Sequence, residues 1–410
     1  MGIRNLNSDF VPASLRRPVA VATSGVPRFW SAVYEVTSLA HLRNNTTRMH
    51  LHAIDAFYQH VEDIHGADVL DDILHQADAD RLSTSLEGFF IKLRNSAVQT
   101  GSDHRDRWAT VSSFVETIVK RVSEAEESHR SIHRRIQRLS ARLSNLRPNP
   151  KAPNPSTIRA LPSTVLREIY AIFDPASSNN PFRGESRRWR NHCLLLAFLH
   201  QGLRRGEALL LPADAIKSGI DDQTLKPRHW INVQNLFAEE DPRFCDAPSI
   251  KNDHSVRQVP VSPDVARRFQ HFYENHRGKS PYPHFFLNSS GVPLGSRSVS
   301  KIMSSASSAL SHTSRQHLLD AMREPKVTAH DLRHTCAVVR LYHFRSAGIS
   351  EEAALQKLRA FFGWTYDSVM PRLYARAYWE RHVAQVWNDD FDSHVNAIRA
   401  IEPSIDQVRI

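Results

Sequence analysis

The run Ala329-His330-Asp331-Leu332-Arg333-His334-Thr335 carries the densest chemistry in this chain. His330 and Arg333 are three residues apart, so on a helix they share one face. A histidine titrates near neutral pH and can therefore transfer a proton, and an arginine can hold a phosphate through two parallel N–H donors. Taken alone, the run fits an ordinary amphipathic helix equally well, with His334 in a structural role. The segments before and after it decide between these interpretations.

Two further segments complete a set of groups suited to phosphodiester chemistry. Gly202-Leu203-Arg204-Arg205-Gly206-Glu207 lies upstream, at the end of an apolar helix. Phe362-Gly363-Trp364 lies downstream and is followed by Tyr374. Cleavage of a phosphodiester needs an attacking oxygen, neutralisation of a pentavalent transition state and a proton for the leaving oxygen. Without a metal, arginine forks are the best neutralisers. The alternative for Arg204 is a helix-start arginine that pairs only with Glu207.

The composition indicates a basic protein with room for two domains. The 410 residues include 53 Lys+Arg and 43 Asp+Glu, which gives a net charge of +10. Such an excess suits a polyanionic partner, although it also favours solubility. The three cysteines are far apart, which predicts a reducing compartment and no disulfide framework. The 23 histidines form no ligand-spaced cluster, so neither a metal nor another cofactor is expected.

The sequence shows no apolar run of membrane-spanning length and no signal-peptide core at its start. We therefore expect no membrane partner and a cytoplasmic, nucleoid-associated location. Residues 1–26 lack periodicity and are predicted to be a flexible arm. Residues 27–146 show helical periodicity and are predicted to form a helical DNA-binding domain.

A heptad pattern extends over the last part of that domain and predicts one long helix from Asp106 to Leu146. Its apolar positions are Val111, Val115, Ile118, Val122, Ala125, His129, Ile132, Ile136, Leu139, Leu143 and Leu146. One interpretation is a coiled coil with another subunit or with a partner recombinase. We favour the other, a helix packed against its own domain, because Ala125 and His129 weaken the pattern.

The second half of the same segment is strongly basic. No acidic residue occurs between Ser128 and Arg167. The residues that we predict to contact DNA are Arg130, Arg134, Arg138, Arg142, Arg147 and Lys151. The first four recur every four residues and would form one stripe of like charges on a helix. Phosphates would relieve the repulsion within such a stripe and release counterions. A solvated face is the alternative.

A proline-rich segment separates this domain from the rest of the chain. Pro148, Pro150, Pro153 and Pro155 interrupt residues 147–157, which we interpret as a semi-rigid linker. Residues 158–390 are predicted to form a mostly helical catalytic domain with short strands at Trp230–Phe237, Pro248–Lys251 and Val256–Val261. Residues 391–410 are predicted to be a C-terminal helix or tail. The predicted fold class is therefore mostly α with a small antiparallel β-sheet.

The order of these motifs resembles that of the tyrosine recombinase (phage integrase) family over about residues 158–390. Gly202-Leu203-Arg204 with Glu207 matches the first box of the family, and residues 329–335 match the second almost letter for letter. The first domain resembles the helical core-binding module of such enzymes more weakly. Each box alone is moderately specific, whereas the ordered set is strongly so.

The resemblance implies a role for each matching residue. Arg204 and Arg333 would clamp the scissile phosphate, and His330 would take part in proton transfer. Lys251, in the hairpin between two predicted strands, matches the lysine of the family and would be the general acid for the 5′ leaving oxygen. It is the only lysine of that hairpin.

The remaining matches concern the nucleophile. Trp364 would donate its indole N–H to the phosphate. Tyr374 would attack and form a 3′-phosphotyrosine bond; it lies ten residues after Trp364, one more than is usual in the family, and Tyr378 is the runner-up. Glu207 is expected to orient the clamp, and His334 to play a supporting role.

This resemblance predicts a site-specific recombinase or integrase of a mobile element that breaks and rejoins double-stranded DNA without metal or ATP. Four subunits would act together on the DNA, as the family does. Two alternatives remain open. One is an enzyme like the type IB topoisomerases, with a hairpin telomere resolvase as a further variant. The other is a DNA-binding relative that has lost catalysis, which the displaced tyrosine favours.

Overall fold

The structure is a computed structural model, and it describes residues 2–5, 17–42, 44–100, 102–125, 130–146, 160–221, 225–236, 243, 248, 250 and 255–379. The chain divides into two compact units, Met1–Pro155 and Ser156–Ile410. Helices dominate the described residues of both units, and each unit adds one small antiparallel sheet. The chain is therefore mostly α with small antiparallel sheets, as the sequence predicted. The predicted C-terminal helix or tail, residues 391–410, lies outside the described residues.

The first unit is a helical bundle with a strand pair at its N-terminal end. Its elements are β1 (Gly2–Asn5), β2 (Pro18–Val21), α1 (Phe29–Ser38), α2 (Asn44–His65), α3 (Leu70–His75), α4 (Ala79–Thr100), α5 (Arg105–Ala125) and α6 (Arg130–Leu146). β1 pairs with β2 in antiparallel register, and β2 is buried along its length. The prediction of a flexible arm over residues 1–26 is therefore wrong for the residues of these two strands. The apolar residues Val19, Ala20 and Val21 of β2 are buried. A run of three residues is too short for periodicity to predict a strand.

The single long helix predicted from Asp106 to Leu146 is also wrong. The structure has two helices, α5 and α6, and the indole N–H of Trp108 in α5 donates to Ser144 Oγ in α6 at 2.9 Å. In one continuous helix these residues would be about 54 Å apart, so the chain must reverse between them. Ile136, Leu139 and Leu143 lie in the same core as the apolar residues of α5. The heptad pattern therefore reflects packing within the unit, the interpretation that we favoured.

The second unit contains the motifs. Its elements are α7 (Ser163–Phe173), α8 (Glu185–Leu199), α9 (Arg205–Leu209), β3 (Ile216–Ile220), β4 (Pro227–Val233), β5 (Arg257–Val261), α10 (Pro263–Asn275), α11 (Ser296–Ser308), α12 (His312–Met322), α13 (Ala329–Ser346), α14 (Glu351–Phe362) and α15 (Met370–Trp379). The strands form an antiparallel sheet in the order β3-β4-β5. β4 and β5 overlap the predicted strands, whereas β3 was missed. Most of the predicted strand Pro248–Lys251 lies outside the described residues. None of the described helices is long and apolar enough to cross a membrane.

Two central helices position the motifs. Helix α8 is buried over all nine of its last residues, 191–199, and leads directly into the Gly202 motif. Helix α13 packs against α8 and begins with a capping box: Thr328 Oγ1 accepts from the Asp331 N–H at 3.3 Å, and Asp331 Oδ2 accepts from the Thr328 N–H at 2.9 Å. Asp331 therefore fixes the start of α13, with His330 in the first turn and Arg333 directly after it.

Candidate active site

Glu207 is the centre of the site. Its side chain is almost completely buried, and its Oε1 accepts from Arg204 Nη1 at 2.6 Å. Its Oε2 also accepts from the Arg204 backbone N–H at 2.8 Å and lies 3.6 Å from Arg333 Nη1. Glu207 thus holds both arginines that the sequence predicted as a phosphate clamp. Its expected role as an orienting residue stays a prediction.

The structure adds a third arginine that the sequence analysis missed. Arg257, the first residue of β5, donates to both carboxylate oxygens of Glu207, at 3.1 Å through Nη1 and at 3.0 Å through Nη2. Burial acts to raise the pKa of Glu207, but Arg257, Arg333 and Arg204 outweigh burial and leave this pKa below its ordinary value. The sequence offered one indication of Arg257: it occupies the same face of its strand as the buried residues Val259 and Val261. An arginine at such a position does not by itself indicate a site.

The three arginines share a second anchor at the C-terminal end of α14. Arg257 Nε donates to the Phe361 carbonyl at 2.7 Å, Arg333 Nη2 to the Phe362 carbonyl at 2.8 Å, and Arg204 Nη2 to the Gly363 carbonyl at 3.4 Å. The last carbonyls of a helix have no partner within the helix and carry partial negative charge. Three consecutive carbonyls therefore help to offset the repulsion among three guanidinium groups.

Arg333 is the most enclosed of the three, with a side-chain exposure of 4%. It also donates to the carbonyl of Gly202, and its guanidinium lies 4.8 Å from the centre of the Phe362 ring. Burial lowers the pKa of Arg333, whereas Glu207 raises it. The group remains charged at neutral pH because arginine starts from so high a pKa. Arg204, with 21% exposure, is the more accessible member of the clamp.

An aromatic stack connects the clamp to the predicted nucleophile. The ring of Trp364 is stacked between those of Phe362 and Tyr374, with centroid distances of 4.7 Å and 5.4 Å. The Arg333 guanidinium lies 6.0 Å from the Trp364 ring. Trp364 is therefore placed between Arg333 and Tyr374 by packing, which the sequence order alone did not show.

Tyr374 is buried, and its hydroxyl forms a hydrogen bond with Nδ1 of His334. The His334 ring in turn lies 4.2 Å from the ring of His330, at a near-perpendicular angle. Burial raises the pKa of Tyr374, although Arg333 acts in the opposite direction. His334, expected only to support the site, is thus the residue hydrogen-bonded to the tyrosine hydroxyl.

A cavity of about 850 Å³ opens beside the clamp. Its lining comes from α9, α11 and the start of α13, namely Arg204, Arg205, Gly206, Val299, Ser300, Lys301, Met303, Ser304, Lys326, Val327, Thr328, Ala329, His330 and Arg333. The lining brings together three of the predicted catalytic residues and three further cations, and its described residues include no carboxylate. Tyr374 does not line this cavity, so its hydroxyl must move to meet a group bound there.

Several predicted residues cannot be placed at the site. Lys251 lies outside the described residues, and so does the side chain of Tyr378. Of the residues predicted to contact DNA, Arg147, Lys151 and the side chain of Arg130 lie outside as well. Their roles stay predictions. Among the residues that the structure describes, no group of three or more His, Cys, Asp or Glu side chains is arranged to hold a metal ion.

The described part of the basic stripe belongs to α6. Arg134 and Arg138 are exposed on its surface. Arg142 donates to Glu87 in α4 at 2.8 Å, with both side chains largely exposed. An exposed pair of this kind contributes little stability and can exchange for a phosphate. DNA contact by these arginines stays a prediction.

Comparison with solved structures finds recombinases. XerA recombinase is 16% identical, with 86% of this chain and 97% of that chain covered and a TM-score of 0.33. XerH site-specific recombinase, in a post-cleavage complex with a palindromic difH substrate, is 14% identical, with 87% and 84% covered and a TM-score of 0.42. Likeness at this level carries no inference about activity, which rests on the residues of the site. No protein-family model and no curated protein matches the chain.

Proposed function

We propose that this protein is a site-specific DNA recombinase of a mobile element that cleaves and rejoins DNA through a 3′-phosphotyrosine intermediate at Tyr374. The observation that carries the proposal is the arrangement of Arg204 and Arg333 around Glu207, beside a cavity that contains His330 and has no carboxylate among its described lining residues. A site of this kind is electrostatically prepared for an anion before the anion arrives.

In this mechanism, a scissile phosphate enters the cavity and is held by the arginines. Arg204, the more exposed of the two, contributes N–H donors to the phosphate. Arg333, which is almost completely buried, contributes mainly its positive charge. Both are fixed by carboxylate and carbonyl partners, so little reorganisation is needed when charge develops on the phosphate oxygens. Arg205, Lys301 and Lys326 around the same cavity would neutralise phosphates on either side of the scissile one.

The tyrosine step requires a proton acceptor and a movement. His334 is in place to receive the phenolic proton, and His330 is next to it at the edge of the cavity. Tyr374 would then leave its buried position and attack the phosphorus, with release of the 5′ oxygen. Lys251 would protonate that oxygen, as the family resemblance implies. The phosphotyrosine bond retains the free energy of the broken bond, so rejoining would need no ATP.

Trapping of a covalent complex tests the proposal. The substrate is a nicked duplex that carries the ends of the mobile element, from which the short cleaved strand dissociates and leaves the adduct trapped. Wild type, Tyr374→Phe and Tyr378→Phe are incubated with it and separated on a denaturing gel. We expect an adduct with wild type and Tyr378→Phe and none with Tyr374→Phe. Loss of the adduct only in Tyr378→Phe would move the nucleophile to that residue.

A DNA-binding relative without catalysis is the second candidate. The observation in its favour is that Tyr374 is buried and does not line the cavity. The same gel separates the two candidates. Binding of the duplex by all three proteins without any adduct would favour the relative without catalysis. A type IB topoisomerase-like activity would instead relax supercoiled plasmids that lack the element's ends.

A further inference from the structure

We infer that Arg257 is a positioning residue for the phosphate clamp: by binding both oxygens of Glu207, it sets the direction in which Glu207 holds Arg204 and Arg333. The inference rests on the proposed function and deepens it. Arg257 is not among the residues that line the cavity, and its side chain is only 7% exposed. It would therefore act through Glu207 and not by touching the phosphate.

The geometry of the Arg257–Glu207 pair supports this role. A bidentate arginine–carboxylate pair restricts both the rotation and the plane of the carboxylate. With Arg257 Nη1 and Nη2 at 3.1 Å and 3.0 Å from the two oxygens, Oε1 is directed at Arg204 Nη1 and Oε2 towards Arg333. Without Arg257, Glu207 would be held on the Arg204 side alone, by the backbone N–H and Nη1 of that residue, and its position relative to Arg333 would no longer be fixed.

Arg257 also connects three separate parts of the unit. It belongs to β5, its carboxylate partner belongs to α9, and its Nε donates to the Phe361 carbonyl at the end of α14 at 2.7 Å. Its Nη1 donates to the Ser255 carbonyl at 2.7 Å, and the Ser255 hydroxyl accepts from Arg204 Nη1 at 2.9 Å. Arg257 therefore fixes both partners of Arg204 Nη1, the carboxylate and the hydroxyl.

The charge balance gives Arg257 a second effect. Three guanidinium groups surround one carboxylate, so the centre retains a net positive charge that faces the cavity. Loss of Arg257 would reduce that charge and would also disorder the clamp. Both effects weaken the stabilisation of charge on the non-bridging phosphate oxygens. Both effects should be smaller for a substrate that carries less charge on those oxygens.

The experiment compares two scissile groups. One duplex carries the ordinary phosphodiester, and the other carries a methylphosphonate in which a methyl group replaces one charged oxygen. Wild type, Arg257→Met, Arg257→Lys and Arg340→Met are tested at saturating DNA. Arg340 is the matched control, because it donates to the His200 carbonyl and packs on the Phe361 ring without contacting Glu207. Duplex affinity is measured in parallel.

For Arg257→Met we expect cleavage of the phosphodiester to fall about 100-fold, with a loss on the methylphosphonate that is at least about tenfold smaller. Arg257→Lys keeps the charge but cannot hold both oxygens, so its loss should be intermediate. Arg340→Met should retain the wild-type ratio of the two rates. An equal loss on both substrates, or wild-type cleavage by both Arg257 variants, would overturn the inference. Wild type that cleaves neither substrate would instead refute the proposed function, on which the inference depends.

Discussion

The hydroxyl of Tyr374 is hydrogen-bonded to Nδ1 of His334, which lies one helical turn after His330 of the cavity lining. The tyrosine is buried in this arrangement, and burial raises the pKa of its phenol. The proposed nucleophile is therefore both buried and weakly acidic in this structure. In the proposed mechanism the Tyr374 hydroxyl must leave this position and lose its proton to a neighbour.

His334 is the neighbour that the geometry provides. Replacement of His334 by Gln keeps a polar side chain of similar reach but removes the imidazole that would accept the phenolic proton. We expect adduct formation to slow about 100-fold, with the rise of the rate moved to higher pH. Single-turnover trapping between pH 6 and pH 9 measures both. Unchanged rate and pH profile would show that the proton goes elsewhere, with His330→Gln as the comparison.

Gly202 allows the first motif to approach α14. Its φ is +58°, and a Cβ there would lie 2.3 Å from Cε1 of Phe362 and 3.2 Å from Sγ of Cys336. Gly202→Ala should therefore reduce the free energy of unfolding by more than about 3 kcal/mol. Gly291→Ala is the control, since its φ is +72° with nothing within 4 Å of the added Cβ. It isolates the backbone cost, about 1 kcal/mol. Similar losses in the two variants, measured by denaturant unfolding, would contradict the close packing at Gly202.

The α6 arginines are predicted to differ in their contributions to DNA binding. Arg138 is exposed on α6, whereas Arg142 already pairs with Glu87. Arg138→Ala should lower affinity for non-specific duplex and reduce the slope of log affinity against log salt by about 0.9. Arg142→Ala should have a smaller effect, because in wild type Arg142 must first break its ion pair with Glu87, which offsets part of the free energy of its contact with a phosphate. Filter binding between about 50 and 200 mM salt, where phosphate contacts change affinity strongly, measures both effects. Equal slopes for wild type and Arg138→Ala would remove α6 from the DNA interface.

The sequence predicted the residues of the site better than their connections. Arg204, His330 and Arg333 could be named because each stands in a motif with a recognisable spacing. Arg257 could not, since its role depends on β5 lying next to α9 and α14, which no local pattern encodes. The partnership of His334 with Tyr374 likewise joins residues 40 positions apart.

The fold shows the same division. The periodicity of Ile136, Leu139 and Leu143 predicted a helix with one apolar face, and α6 has that face in the core. The same periodicity continues through the reversal between α5 and α6, so it could not reveal where the chain turns. The strand β3 was missed because its pattern of exposure does not alternate cleanly. Local propensity fixes the type of an element more readily than its partner.

Acid should weaken the core around α8. Burial lowers the pKa of His192 and of His200 to about 3, with Arg268 and Arg340 acting in the same direction. Since the unfolded histidines titrate near 6.5, their contribution is complete above that pH and is lost as the pH falls towards about 3. As the pH falls through this window, each of the two histidines should reduce the free energy of unfolding by up to about 1.4 kcal/mol per pH unit.

Hydrogen exchange of the α8 amides at pH 7 and pH 5, corrected for the intrinsic exchange rate, measures this effect. His200→Gln retains a partner for the Tyr170 hydroxyl, which lies 2.8 Å from His200 Nε2. This variant should lose less protection between the two pH values than wild type does. The same loss in both proteins would show that His200 is not responsible.

The identity of the covalently modified residue tests the central claim most directly. Trypsin separates the two candidate tyrosines from each other and from Tyr366, because Arg359, Arg372, Arg376 and Arg381 place Tyr366, Tyr374 and Tyr378 on different peptides. The trapped adduct is digested with nuclease and trypsin, and the peptide that carries the nucleotide is sequenced by mass spectrometry. We predict the nucleotide on Tyr374, in the peptide of residues 373–376. A nucleotide on either other peptide, or a trapped complex that carries none, would contradict the mechanism proposed for this site.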